Sequence, residues 1–313
     1  MDLGVARNLK ISQLRLISAI AEHGQIRLAA DELAITQPAA SRLLADTEQN
    51  LGAKLFERHP KGMVPTLIGR ALTQRAHKLL VELRDLSRDL HELKSGEGGT
   101  ATVGAVTGAA VGFVIPAINQ LKATSPKADI HVNVEASEVL VRDLIGGKND
   151  FVLARLPPDF NANEFELMPA RTETVKLMVR EDHPLARATE VSIGDLTHYE
   201  WVMQTHRAPI REAVDSAFLQ ARAELPTNII NTTSLLAMIA VLVSTSAIAP
   251  LASEVSDLLI GNRVGAKLSV LPVKRPIVLT PYYLLLVKGR QLSPIANRLR
   301  ALVNAELNRG SRR

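Results

Sequence analysis

The sequence contains no cysteine, and aromatic residues make up only 3% of its 313 residues. The lack of cysteine excludes disulfide bonds, thiolate metal sites, iron–sulfur clusters and cysteine nucleophiles. The scarcity of aromatic side chains argues against binding of single-stranded nucleic acid or RNA by base stacking. The eight histidines are scattered, and the sequence has neither a phosphate-binding loop nor a zinc-protease motif. These absences predict a protein with no metal or cofactor and make an enzyme the less favoured alternative.

Long hydrophobic runs are also missing. Residues 98–121 and 225–253 carry no charged side chain, but polar residues, glycine and proline interrupt both stretches. A membrane-spanning helix needs about 20 predominantly apolar residues, whereas the unbroken apolar run of the second stretch is only Leu235–Val243. The first residues lack the basic-then-apolar pattern of a signal peptide. We therefore expect a cytoplasmic protein with no membrane contact.

Positive charge is concentrated at the start of the chain. Residues 1–78 hold 11 basic and 7 acidic side chains, whereas the remaining residues hold 26 and 25. A basic head on a nearly neutral body is typical of a nucleic-acid-binding domain joined to another domain. Chance and solvated helix faces explain the same difference, so charge alone leaves both interpretations open. The length predicts two or three domains.

Three short helices are predicted in the head. Apolar side chains recur at helical spacing from Ile11 to Ala21, and a second such segment runs from Ile26 to Leu33. Thr36 is a plausible N-cap for a third helix, with Pro38 in its first turn and Gly52 just past its end. This order predicts a helix-turn-helix whose last helix enters the major groove of DNA.

The predicted DNA contacts lie on this helix and on the segment after it. Gln37 can read adenine and Arg42 can read guanine, while Ser41 suits a phosphate. Residues 55–66 place two apolar pieces around a basic turn, as in a β-wing, and Arg58 and Lys61 could follow the DNA backbone. For any one of these residues, a solvated surface position is the alternative. The full set is Arg27, Thr36, Gln37, Pro38, Ala39, Ser41, Arg42, Arg58 and Lys61.

The order and spacing of these motifs resemble the LysR-type transcriptional regulators of bacteria. The matching runs are Ala29-Ala30 through Ser41, Leu51-Gly52 through Arg58, and Thr66-x-x-Gly69. Arg27 departs from the family pattern, which has Ser or Thr there, and it could add a phosphate contact or alter the base preference. Asp46-Thr47-Glu48 departs as well, because a Leu-Glu pair is commoner. Neither departure affects the predicted fold.

A heptad seam follows the head. Apolar residues alternate in steps of four and three from Leu72 to Leu93, with charged residues between them. This pattern favours a coiled-coil dimer over a helix packed on its own domain, and it implies two heads on a two-fold symmetric operator. The linker helix of the resembled family dimerises at this position, and the family implies a dimer of dimers. The predicted pairing residues are Leu72, Leu79, Leu83, Leu86 and Leu90.

The body alternates short apolar strands with helices, which predicts an α/β domain with a largely parallel sheet. Two such sets suggest two lobes with a ligand cleft at the strand-to-helix turns. N-capping is the alternative role for Ser137, Thr233 and Ser234. The predicted effector-binding residues are Thr107, Gly108, Ala109, Ser137, Arg155, Gln204, Thr205, His206, Thr233 and Ser234.

The body resembles the effector-binding domain of the same family, which is similar to a periplasmic binding protein. Thr245 and Ala247 stand where the family has a two-glycine turn. The runs Arg58–Met63, Leu153–Pro157 and Leu292–Pro294 resemble the galactose-binding-protein-regulator subgroup, which implies a sugar or sugar-acid effector. The family also implies double-stranded promoter DNA as partner and RNA polymerase as a candidate partner. A small-molecule-binding protein or an enzyme without DNA function is the alternative, but it leaves the head unexplained.

The predicted fold class is thus an N-terminal all-α winged helix-turn-helix with a linker helix, followed by an α/β, two-lobed, periplasmic-binding-protein-like effector domain. The expected boundaries are residues 8–66 for the DNA-binding domain, 67–94 for the linker helix and 95–313 for the effector domain. Within the effector domain, lobe I should comprise about 100–168 and 276–313, and lobe II about 169–275.

Overall fold

A computed structural model describes residues 9–60, 62–95, 98–261 and 264–309. The chain divides into two compact units, Met1–Gly96 and Glu97–Arg313. None of the helices in the described ranges is both long and apolar enough to span a membrane.

The first unit is a helix-turn-helix with a β-hairpin and a long helix. Its elements are α1 (Ile11–His23), α2 (Ile26–Glu32), α3 (Gln37–Leu51), β1 (Phe56–His59), β2 (Gly62–Pro65) and α4 (Leu67–Ser95). Glycines 24 and 52 end α1 and α3 in the left-handed conformation, and the Thr36 hydroxyl caps α3 by accepting from the Ala39 N–H. Apolar residues of all three short helices and of β1 form one buried core.

Backbone contacts fix the hairpin and α4 to this core. The strands β1 and β2 are antiparallel, with Phe56 opposite Pro65. The Met63 N–H donates to the carbonyl of Gly24, 2.6 Å away, which joins the hairpin to the turn between α1 and α2. At the start of α4, Gly69 lies against Leu55, where a Cβ would approach the Leu55 carbonyl oxygen to 1.9 Å. Only glycine fits this close approach.

In the second unit, lobe I is a five-stranded sheet with helices. Its elements are β3 (Thr100–Ala105), α5 (Thr107–Ala109), α6 (Ile115–Thr124), β4 (Asp129–Val134), α7 (Ser137–Ile145), β5 (Phe151–Ala154), β6 (Phe165–Arg171), β13 (Tyr282–Val287) and α11 (Pro294–Arg309). The strands lie in the order β4-β3-β5-β13-β6, and the first three are parallel while β13 and β6 are antiparallel to their neighbours. A turn of π-helix (Ala110–Val114) joins α5 to α6.

Lobe II is built around an antiparallel sheet. Its elements are β7 (Thr174–Arg180), β8 (Trp201–Met203), α8 (Pro209–Gln220), β9 (Ile229–Asn231), α9 (Leu235–Ser244), β10 (Ala249–Ala252), α10 (Ser253–Ile260), β11 (Leu268–Val270) and β12 (Ile277–Val278). Strands β10, β11 and β12 all pair with β7. A separate parallel pair, β8 and β9, packs beside this sheet, and the core includes Trp201 and Phe218 in edge-to-face contact.

The expectation of a largely parallel sheet is wrong for this domain. The chain leaves lobe I after β6 and returns to it in β13, which runs opposite to both β5 and β6. Two of the four strand pairings in lobe I are therefore antiparallel, and the pairings of β7 in lobe II are antiparallel as well. The apolar pattern predicts a helix over Val111–Ala123, but the observed helical stretch begins at Thr107, because the π-helical turn carries α5 into α6 without a break.

Two short segments connect the lobes. Residues 172–173 lead from β6 to β7, and residues 279–281 lead from β12 back to β13. The two crossings are hydrogen-bonded to each other, since the Leu279 N–H donates to the Glu173 carbonyl at 2.9 Å. They therefore form a paired hinge.

Candidate DNA-reading and effector-binding sites

The recognition helix α3 separates polar from apolar side chains. Gln37 and Arg42 are exposed, whereas Ala40 and Leu44 on the other face are buried in the head core. Thr36, Pro38 and Ala39 are exposed in the first turn, and Ser41 is half-buried. A helix N-terminus with an amide, a guanidinium and a hydroxyl can contact base edges and phosphates.

Two of the three remaining predicted DNA contacts are on the surface of the same unit. Arg27 is exposed on α2, and Arg58 is exposed on β1 of the hairpin. Lys61 lies outside the described residues. The hairpin that carries Arg58 is tied to the α1–α2 turn by the Met63–Gly24 hydrogen bond.

Sequence reasoning missed a buried carboxylate in α3. Glu48 is 7% exposed and accepts hydrogen bonds from the backbone N–H of Leu55 at 2.9 Å and from Lys54 Nζ at 2.6 Å. Burial raises the pKa of Glu48, but these hydrogen bonds and the charge of Lys54 outweigh burial and hold it below its ordinary value. Glu48 thus holds the start of the hairpin against α3.

An apolar stripe runs along the exposed side of α4. Leu79, Leu83, Leu86 and Leu90 are 53%, 37%, 54% and 51% exposed. Leu72, by contrast, is half-buried and packs on the core of its own head, as does the start of α4 generally. This placement departs from the expectation for Leu72, because the first turns of α4 face α1.

In lobe I, the parallel strands bring three predicted turns to one edge of the sheet. Ala105 lies between Val134 and Leu153, so the segments that follow β3, β4 and β5 are neighbours. The Ser137 hydroxyl accepts a 3.1 Å hydrogen bond from the Arg155 N–H. Ser137 therefore joins two strand ends rather than capping α7, whose N-cap position is held by Ala136.

Arg155 is bound to both segments of the hinge. Its Nη2 lies 2.5 Å from Glu173 Oε2, and its Nε donates to the Thr280 carbonyl at 2.9 Å. The Arg155 and Glu173 side chains are only 13% and 4% exposed. Arg155 is among the predicted effector-binding residues, but the sequence pattern indicates neither Glu173 nor Thr280 as its partner.

Thr107 is exposed at the start of α5, while Gly108 and Ala109 are buried. Gly108 lies against lobe II, and a Cβ there would come within 2.4 Å of Glu173 Oε1 and 3.0 Å of the Ala252 Cβ. A Cβ at Gly112 would meet the Glu254 side chain at 2.6 Å. The glycines therefore allow the first helix of lobe I to approach both glutamates.

The predicted turns of lobe II form a second group. Met203 at the end of β8 is paired with Asn231 at the end of β9, and the Thr232 N–H donates to the Met203 carbonyl at 2.9 Å. Gln204 is half-buried and Thr205, His206 and Thr233 are exposed. Ser234 is exposed and caps α9 by accepting from Ala237, as the capping alternative predicts. In the described part of the chain, no hydrogen bond links this group to the turns of lobe I.

A pocket of about 450 Å³ lies between α8 and the strand β12. Pro209, Glu212, Ser216 and Gln220 line one wall, and residues 276–280 line the other. It contains none of the predicted effector residues, although its end at Thr280 adjoins Arg155 through the hydrogen bond described above.

Family models match both units of the chain. The model described as a bacterial regulatory helix-turn-helix protein of the lysR family matches residues 11–70, and the LysR substrate binding domain matches residues 94–308. The chain belongs to the LysR family of DNA-binding transcriptional regulators, which carry an effector-binding domain and are not enzymes.

Individual relatives match along most of their length. GbpR, an HTH-type transcriptional regulator of Rhizobium radiobacter, is 40% identical over 255 residues, covering 81% of this chain and 84% of its own. GbpR of Azospirillum brasilense is 30% identical, covering 97% and 89%. The crystal structure of CbnR, a LysR family regulator, superposes with a TM-score of 0.58 at 19% identity over 96% of this chain and 99% of its own, which is a likeness of fold.

Proposed function

We propose that this regulator reads a two-fold symmetric operator with the α3 helices of paired heads. The exposed polar face of α3, with Gln37 and Arg42 opposite a buried apolar face, is the observation that carries this proposal. Arg27, Ser41, Arg58 and Lys61 supply phosphate contacts, while Thr36, Pro38 and Ala39 form the helix start that faces the backbone.

The linker helix α4 pairs two chains through its exposed leucines. Four large apolar side chains at alternating steps of four and three form the seam that a coiled coil needs. Leu72 contributes by packing the base of α4 onto its own head. Paired heads would reach half-sites about one helical turn (10–10.5 bp) or a multiple apart. The assembly is a dimer of dimers that acts in the cytoplasm, with RNA polymerase as a candidate partner at the promoter.

The effector of this protein is of the sugar class and binds at the strand ends between the lobes. The resemblance to the galactose-binding-protein-regulator subgroup and the relatives named GbpR support a sugar. In lobe I, the contributing residues are Thr107, Gly108, Ala109, Ser137 and Arg155; in lobe II, they are Gln204, Thr205, His206, Thr233 and Ser234. An effector that prefers one lobe arrangement shifts the population of DNA-binding states.

Selective binding to DNA tests the proposal directly. Purified full-length protein is mixed at moderate salt with labelled fragments of the source genome and an excess of random duplex, and bound fragments are recovered. We expect a small set of fragments to be enriched, with footprints that are two-fold symmetric. Binding that shows no preference over random duplex contradicts the proposal.

A further inference from the structure

In lobe I, the position that would attract an anionic ligand is already occupied by a carboxylate of the chain itself. Glu173 Oε2 lies 2.5 Å from Arg155 Nη2, and the two side chains are 4% and 13% exposed. The Arg155 Nε is bound to the Thr280 carbonyl. A ligand carboxylate that binds Nη2 of this guanidinium would therefore have to displace Glu173.

The same carboxylate lies beside the start of the first helix of lobe I. The other oxygen of Glu173 faces Gly108, so closely that a Cβ there would be 2.4 Å away. Gly108 is in the first turn of the helix that begins at Thr107, where unpaired N–H groups favour negative charge. Glu173 thus meets both features that an α/β lobe offers to an anion.

The cluster around these residues contains a hydroxyl that lacks a partner. Tyr282 is fully buried, and its hydroxyl has no hydrogen-bond partner among the described residues. The hydroxyl lies in the electrostatic field of two carboxylates, of Glu254 and Glu173, and of two guanidiniums, of Arg171 and Arg155. Burial first, and then the carboxylates, raise the pKa of Tyr282 well above its ordinary value. The hydroxyl therefore stays protonated and adds no negative charge to the cluster.

We propose that Glu173 is a built-in counter-ion that determines specificity, so that the cleft accepts uncharged polyhydroxy ligands and rejects carboxylate-bearing ones. The Arg155–Glu173 ion pair carries this inference, because a second carboxylate buried at this guanidinium would remain without a counter-charge of its own. Carboxylate oxygens are well suited to accept hydrogen bonds from the hydroxyl groups of a neutral sugar. The inference rests on the proposed effector role of this cleft and narrows the ligand from sugars and sugar acids to neutral sugars.

The first experiment compares two ligands that differ at C6, where D-galactose has a neutral hydroxymethyl group and D-galacturonate has a carboxylate. Full-length protein is titrated with D-galactose and with D-galacturonate, and binding is followed by calorimetry and by thermal shift. We expect the wild type to bind D-galacturonate at least tenfold more weakly than Glu173→Gln and Glu173→Ala do. Both variants remove the negative charge paired with Arg155, and Glu173→Ala also vacates the space for a ligand carboxylate.

Matched variants separate the counter-ion from a general change in charge. Asp257→Asn removes a carboxylate from an exposed ion pair with Lys176 in the same domain, so it should gain no affinity for D-galacturonate. Glu173→Asp keeps the charge and should reject the acid as the wild type does. Adding Arg155→Ala to Glu173→Ala should abolish the gained affinity.

Two results would overturn the inference: tighter binding of D-galacturonate than of D-galactose by the wild type, or no gain of affinity for the acid in either Glu173 variant. The comparison in the wild type remains decisive even where a variant folds poorly. Selection of genomic DNA by the wild type is measured in parallel. A protein that selects DNA but fails the ligand test disproves only the role of Glu173, whereas one that selects no DNA disproves the proposed function.

Discussion

The carboxylate of Glu48 in the recognition helix accepts a 2.9 Å hydrogen bond from the backbone N–H of Leu55, just before the hairpin. A second, longer bond comes from the Phe56 N–H at 3.4 Å, and Lys54 supplies a cation at 2.6 Å. The carboxylate therefore accepts hydrogen bonds from buried backbone donors that follow α3.

The pKa of Glu48 predicts how the stability of the head depends on pH. Burial raises this pKa, but the hydrogen bonds from Lys54, Leu55 and Phe56 bring it below the ordinary value of 4.5. The contribution of Glu48 is thus fully present above that value and is lost as the pH falls through the lower, folded-state pKa. Glu48→Gln should destabilise the head by about 1–3 kcal/mol at pH 7.

Hydrogen exchange on head peptides measures this loss separately from the body. The difference between Glu48→Gln and the wild type should be constant near neutral pH and should shrink below about pH 4.5. Glu57→Gln, at an exposed position of β1, serves as the control and should change little. A difference that grows in acid would show that the carboxylate does not act in this way.

Base reading by α3 predicts selective losses of DNA affinity. Gln37→Ala and Arg42→Ala should each weaken binding to the preferred operator by roughly 1–3 kcal/mol and relax the base preference at one position of each half-site. Gln49→Ala, at an exposed position in the last turn of the same helix, should leave affinity unchanged. Fluorescence anisotropy with operator variants measures both effects. If both alanine variants keep the base preference of the wild type, α3 does not read the bases through Gln37 and Arg42.

Pairing through α4 predicts that charged substitutions in its leucine seam dissociate the protein. Leu83 and Leu86 are 37% and 54% exposed, so a lysine at each position is tolerated by the single chain but is repelled across a coiled-coil interface. Sedimentation velocity of the Leu83→Lys/Leu86→Lys double variant should show a smaller species than the wild type. Ser87→Lys adds a lysine beside the seam and should sediment as the wild type does. If the variant with lysine at both positions sediments as the wild type does, α4 does not pair through these leucines.

Two glycines of the head should differ in their tolerance of alanine. At Gly52, φ is +64° and nothing lies within 4 Å of a Cβ, so Gly52→Ala should cost only the left-handed backbone penalty of about 1–2 kcal/mol. At Gly69, a Cβ would lie 1.9 Å from the Leu55 carbonyl oxygen, so Gly69→Ala should cost roughly 3 kcal/mol or more. Hydrogen-exchange protection of the head measures the loss of stability in each variant. Equal losses would mean that the contact between Gly69 of α4 and Leu55 is easily rearranged.

The sequence predicted the elements whose ends carry strong signals. The start of α3 after Thr36 and its end before Gly52 match the structure. In the body, the apolar runs predict strands at Phe151–Ala154, Thr174–Arg180 and Tyr282–Val287, and β5, β7 and β13 have these bounds. Strand β6 and the short elements α10, β11 and β12 were missed. Pro169 lies within β6, which is an edge strand, and the others are too short to show a period.

The surroundings of Arg155 were predicted only in part, for a physical reason. The turns after parallel strands can be placed at one sheet edge from their order alone, and Ser137 and Arg155 do meet there. Glu173, Glu254 and Thr280 come from the hinge and from α10. Their proximity to Arg155 and Gly108 depends on packing between segments far apart in sequence, and no local pattern records such packing.

The hydrogen bond between Met63 and Gly24 constrains how transcription can be controlled. Because it fastens the hairpin to the turn between α1 and α2, we expect the hairpin and the three-helix core to move as one body. A signal from the ligand would then alter where a whole head stands on the duplex. Control of this kind acts through the spacing and phasing of half-sites and leaves the bases read within each one unchanged.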